Sequence, residues 1–159
     1  MVRMFQYKYR TENELANFDF TEALIGDMEM PEGVFHIVLD NVHILPDNSC
    51  NRDIRTMRTN ELLLTVESPE GLVVVEEGFK TYDADGRLTG MCEDRQLSKE
   101  EYAKALEGIV GGSVYSVELQ AEGEKHAYHF IIDGTDDRTY AVTVLGSADY
   151  EEWNRFLAL

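Results

Sequence analysis

The residues best suited to chemistry are few and scattered. Arg52, Arg55 and Arg58 recur at intervals of three. On a helical turn they line one side and present guanidinium forks that grip an anion or an acidic partner. On an extended chain Arg55 faces away from the other two. The competing reading is salt bridging to an acidic body. Glu76 and Glu77 directly follow the apolar run Leu72–Val75. Successive strand side chains point to opposite faces, so one of these carboxylates must face the covered side. A carboxylate there is either paired or shifted in pKa.

Other groups fall short of a recognisable site. His36 and His43 on one extended strand would stand roughly 20 Å apart, too far to share a metal. Glu124, His126 and Tyr128 share a strand face, but a metal site of that kind needs further ligands. His129 faces the other way. Thr81–Gly86 brushes against a calcium loop, yet Thr81 and Cys92 occupy the two ends where ligating carboxylates belong. Those six residues read better as a hairpin turn with Gly86 in the left-handed region. Cys50 lies in a loop beside Arg52, with no histidine partner in view, and Cys92 belongs to a strand. Gly111-Gly112-Ser113 lacks the second glycine of a nucleophile elbow. The sequence therefore predicts no catalytic residue, no metal and no cofactor.

Charge narrows the partners. The chain of 159 residues carries 14 Lys and Arg against 31 Asp and Glu, a formal net charge of −17. Nucleic-acid backbones and anionic membranes both require a cationic face, so neither is expected as the main partner. Six of the cations fall within residues 1–10 and 51–60. Two cysteines are too few for a disulfide framework. No basic-then-apolar stretch opens the chain, and no apolar run approaches the length of a membrane helix. These features predict a cytoplasmic protein. Hydrophobic residues make up 43% of the chain, enough for one domain over 1–159 to bury its own core.

The elements that must position these groups are mostly strands. Alternation predicts strands over 4–10, 23–30, 34–45, 62–66, 72–75, 79–82, 88–92, 115–119, 128–132 and 140–144. Several of these join, leaving about eight or nine. Asp40-Asn41 breaks the phase of the long third strand as a β-bulge would. Ser68-Pro69-Glu70-Gly71 reads as a hairpin turn, with Leu72–Val75 covered on both faces. Tyr115, Val117 and Leu119 read as one face. Ser98 and Glu101 form a capping box, which predicts a helix over 98–109. Ser147 followed by Asp149 and Glu151 resembles a helix start, which predicts a second helix over 148–158. Its apolar side is Tyr150, Trp153, Phe156 and Leu157, expected to cover Tyr128, Phe130, Val142 and Val144.

The expected fold is α+β, predominantly antiparallel β, as a curved sheet, a partial barrel or two packed sheets, with two helices. The expected function is a small acidic non-enzymatic protein that engages a macromolecular partner with a basic surface. Inhibitor and immunity-type proteins offer an analogy of size and composition. The alternative is a barrel-like binder of a small ligand, with Tyr115, Tyr128, Phe130 and Tyr140 lining a cavity. A third is an enzyme whose residues form no sequence motif.

Overall fold

Period-two alternation governs most of the chain, and a computed structural model describing residues 7–29 and 34–159 contains fifteen strands, one α-helix and two 3-10 turns among them. In chain order they are β1 (Tyr9–Glu12), β2 (Phe18–Asp19), β3 (Leu24–Glu29), β4 (Val34–Asp40), β5 (Val42–Ile44), β6 (Met57–Thr59), β7 (Leu62–Glu67) and β8 (Gly71–Glu76). There follow β9 (Phe79–Tyr82), β10 (Leu88–Cys92), β11 (Arg95–Gln96), α1 (Tyr102–Ile109), β12 (Ser113–Glu122), β13 (Lys125–Asp133), β14 (Thr139–Gly146) and β15 (Ala148–Trp153). Predominantly antiparallel α+β describes the fold. The strand expected over 4–10 falls partly outside the described residues, as does the turn expected at 30–33.

Two long strands organise it. β14 runs into β15 through Ser147, and this whole length lies antiparallel to β7 and β8 together. The neighbours then run from β7 to β4, β3, β12, β13 and back to β14. The sheet thus closes into a barrel of six strand positions. β1 extends it beside β15, and β11 beside β8.

This closure corrects the expected hairpin at Ser68–Gly71. β7 and β8 do not pair with each other. Ser68 takes a left-handed φ of 52°, and the chain bends without reversing. Glu70 N donates to Leu145 O, and Ser147 N to Glu67 O, so both halves keep the same neighbouring strand. Gly146 fits this corner because a Cβ there would lie 2.3 Å from Val66 Cγ1. Leu72–Val75 is not doubly covered either. Val74 is buried, whereas Val73 faces solvent.

The phase break at Asp40-Asn41 is present. Asn41 has a φ of 60°, and the chain leaves β4 for β5, in a small sheet with β2 and β6. Leu39 and Val42 are both buried across the break. In β12 a register shift between Val114 and Ser116 expels Tyr115. Val114 is buried and Tyr115 exposed, so Tyr115, Val117 and Leu119 do not form the expected face.

The helix over 98–109 forms as a 3-10 turn, Lys99–Glu101, leading into α1. Ser98 Oγ bonds the Glu101 side chain at 3.1 Å and caps no backbone N–H. The helix expected over 148–158 does not form. Residues 148–153 are β15, paired on both sides by β1 and β7. Asp149, Glu151 and Trp153 point inward at strand spacing, and helical spacing of the apolar residues beyond them is incidental.

The interior is filled by side chains. Phe35 from β4 meets Phe130 from β13 across the barrel, ring centroids 5.7 Å apart. Toward one end Trp153 packs against Tyr9, Phe18 and Phe156. Toward the other, α1 lies against β8, with the Tyr102 hydroxyl donating to Leu72 O at 2.8 Å. One continuous hydrophobic core runs between them. No helix among the described residues is long and apolar enough to cross a membrane.

Candidate functional site

The barrel interior offers little room. The hollow beneath α1, lined by Met28, Phe35, Val74 and Ile109 among others, holds about 110 Å³. Ligand sites typically span about 300–1,000 Å³. Of the aromatics expected to line a cavity, Tyr128, Phe130 and Tyr140 are buried core and Tyr115 is on the surface.

A larger hollow, about 690 Å³, opens to solvent between α1, the turn after β13 and the ends of β8 and β11. Glu76 stands in it. In β8 it follows Leu72 and Val74 at strand spacing, so it inherits their inward face at the barrel rim. Arg138 meets it at 3.0 Å and Arg95 at 3.8 Å. Of Glu76 and Glu77, Glu76 is the one on the inward face of β8, and it is ion-paired there. Arg95 also bonds Glu101, whose carboxyl it holds below the usual range. Opposite, the Tyr140 hydroxyl donates to Asp136 at 2.6 Å. Burial, then the Asp136 carboxylate, pushes that phenol well above its ordinary value. The groove is charged and open; its Glu76 and Glu101 carboxylates are paired with Arg95 and Arg138, and Glu100, Lys104 and Glu107 line its helix side. It lacks a nucleophile with an adjacent base.

At its foot rises a two-stranded ribbon of β9 and β10. Every side chain from Phe79 to Thr89 and from Met91 to Gln96 is exposed. Its tip is made by turn chemistry. Asp83 Oδ1 accepts from the N–H groups of Asp85 and Arg87, and Gly86 takes a φ of 81°. The resemblance of this loop to a calcium site is thereby spent on its own backbone. At the base a Cβ on Gly78 would lie 1.9 Å from Cys92 O, so only glycine lets the two strands meet there. Asp94 Oδ1 accepts from Gly78 N at 2.7 Å, and Arg138 sits 5.5 Å from the Phe79 ring centroid.

The three arginines expected to act together are dispersed in role. Arg55 pairs with Asp53, which it holds below the usual carboxylate range. Arg58 lies in β6 opposite His43. Arg52 alone lines a shallow hollow of about 460 Å³ beside Cys50 and Phe156. His36 faces Glu29 at 3.6 Å, and His129 Nδ1 contacts Thr143 Oγ1 at 3.0 Å. Among the described residues no three His, Cys, Asp or Glu converge on a metal site.

A second titratable cluster was not foreseen. Asp149 and Glu151 on β15 are both buried inside the fold. Glu151 Oε1 accepts from Thr11 Oγ1 at 2.8 Å, and Asp149 Oδ1 from the Tyr128 hydroxyl at 2.9 Å. Among the described residues Asp149 Oδ2 and Glu151 Oε2 meet no donor. A proton carried by Glu151 and donated to Asp149 would satisfy both, in keeping with burial and the neighbouring Asp149 raising the Glu151 pKa. Burial first, then the Asp149 carboxylate, raises Glu151 far above the ordinary carboxylate range. Tyr128 is raised by the same burial and the same charge. The cluster has no opening to solvent at either carboxylate. Its sequence signal was the period-two spacing of Asp149, Glu151 and Trp153.

Comparison with protein-family models, with curated proteins and with solved structures finds no match. The functional reading therefore rests on this chain's own geometry.

Proposed function

We propose that the protein is a non-enzymatic binding protein that engages a macromolecular partner with a basic surface, in the manner of an inhibitor or accessory protein. The filled barrel carries this reading. Among the described residues the core is packed with Phe35, Phe130 and Tyr128, and the hollow of about 110 Å³ beneath the helix is too small to enclose a typical ligand. What remains available is exterior, and that exterior belongs to a chain of net charge −17. A surface of one sign steers an oppositely charged protein and disfavours anionic polymers and membranes. The wide groove at Glu76 is already occupied by its own ion pairs, which suits a polar contact rim better than a substrate pocket.

The test is affinity capture of the intact protein from its native cells across a salt series. The expected result is a specific protein partner of net positive charge, with association slowing as salt rises. A complex indifferent to salt, or a small molecule retained by the protein in native mass spectrometry, overturns the reading.

A further inference from the structure

The ribbon departs most from ordinary surface chemistry. An isolated two-stranded hairpin is marginally stable in water. Here the tip and base hold it by polar and backbone contacts, and its apolar side chains contribute almost nothing to the core. Register sorts those side chains. Tyr82 pairs with Leu88 and Lys80 with Met91, while the shift between Leu88 and Gly90 restores the phase. Residues directly opposite share a face. Tyr82, Leu88 and Met91 therefore lie together on one face with Lys80. Phe79, Thr81, Gly90 and Cys92 occupy the other, where Arg138 reaches the ring of Phe79, itself 49% exposed. The three large residues of the outward face remain 59%, 54% and 59% exposed.

We propose that this outward face, Tyr82, Leu88 and Met91 on the β9–β10 ribbon, is the docking surface for a basic protein that presents an apolar centre. The inference rests on the binding function proposed above and names the surface that performs it. Tyr and Met are enriched at the dry centre of protein interfaces, and charged residues belong at the rim. The charged residues nearest these three in the chain are Glu77, Asp83, Asp85, Glu93 and Asp94 against Lys80 and Arg87. That balance, on a chain of net charge −17, selects the occupant. A second copy brings the same excess of negative charge to the contact and is repelled. A cationic protein is drawn in within a Debye length, about 10 Å at 0.1 M salt, before the apolar residues are covered.

The test uses full-length protein carrying a benzophenone amino acid at one of three positions, in its native cells. Position 88 lies on the ribbon, position 107 on the helix and position 115 on β12, three strand positions round the barrel from β8. Irradiation is expected to give an adduct with a basic protein from position 88, at least tenfold above that from 107 or 115. Adding Y82D and M91D is expected to lower the position-88 adduct at least tenfold while the melting transition stays where it was, since neither residue is in the core. Adducts with a basic protein from 107 or 115 but not from 88 overturn the docking surface and leave the binding function standing. An adduct between two copies at 88, or one unmoved by the double substitution, also overturns it. No adduct at any of the three positions overturns both.

Discussion

Replacing Glu151 with Gln should stabilise the protein at neutral pH and flatten its stability against pH. Glu151 is fully buried beside Asp149, and the two orphaned oxygens of the pair call for one shared proton. Its carboxyl is raised from an ordinary value of 4.5 by burial and by the neighbouring charge. The unfolded chain gives that proton up near the ordinary value, whereas the folded chain keeps it. A raised folded pKa contributes stability that is fully present below the unfolded value and is lost as pH rises toward the folded one. The slope for one proton is about 1.4 kcal/mol per pH unit. Between about pH 5.5 and 7.5 the natural protein should therefore lose on the order of 3 kcal/mol from this group, against a typical total of about 5–15 kcal/mol. Gln keeps the geometry: its amide donates to Asp149 and its carbonyl accepts from Thr11, with no proton to lose. The assay is urea unfolding of both proteins across that pH range, followed by the fluorescence of Trp153, the single tryptophan. The two stability curves should diverge steadily as pH rises. Parallel curves would refute the shared proton.

Two further outcomes follow from packing. Trp153 is fully buried among Tyr9, Phe18 and Phe156, so Trp153→Ala should cost about 3–5 kcal/mol, and native emission should be blue-shifted and shielded from acrylamide. Gly78→Ala places a Cβ against Cys92 O, so amide exchange across 79–92 should accelerate while the barrel's melting transition holds.

Much of the architecture was legible because burial and period agree in most strands. β4 reads Val34 to Asp40 with Phe35, Ile37 and Leu39 inward, and hydropathy alone traces that face. The phase break at Asn41 was visible for the same reason. β15 was misread because its inward positions hold Asp149 and Glu151. Acids after a serine fit a helix start, and Tyr150, Trp153, Phe156 and Leu157 recur at helical spacing. Two paired neighbours, β1 and β7, outweighed that local preference. The Ser68-Pro69 corner failed differently. Its residues do favour a turn, but whether a turn reverses a chain or only bends it depends on which strand receives the freed backbone groups. That strand is seventy-odd residues away. At the candidate site, Glu76 was legible because it immediately follows an apolar run. Arg138, which answers it, was not, since nothing in the sequence joins the turn after β13 to the end of β8.

The two places where the sequence breaks its own pattern have different remedies. β15 sets carboxylates inside, and the ribbon sets Tyr82, Leu88 and Met91 outside. Real chains depart from consistent patterning mainly at functional or strained positions. The inward violation is relieved by a proton and by hydroxyls already within the fold, Thr11 and Tyr128. It needs no partner, and its consequence is a dependence of stability on pH. Among the described residues the outward violation is left uncovered, with Tyr82, Leu88 and Met91 all more than half exposed. The two also sit at opposite ends of the continuous β14–β15 strand, the carboxylates beyond Ser147 and the ribbon beyond Glu76, which pairs with Tyr140. Glu151→Gln should therefore leave adduct formation from the ribbon unchanged, and the ribbon substitutions should leave the pH slope of stability unchanged. Coupling between them would mean that one element senses both, and the separate accounts of proton and partner would have to be joined.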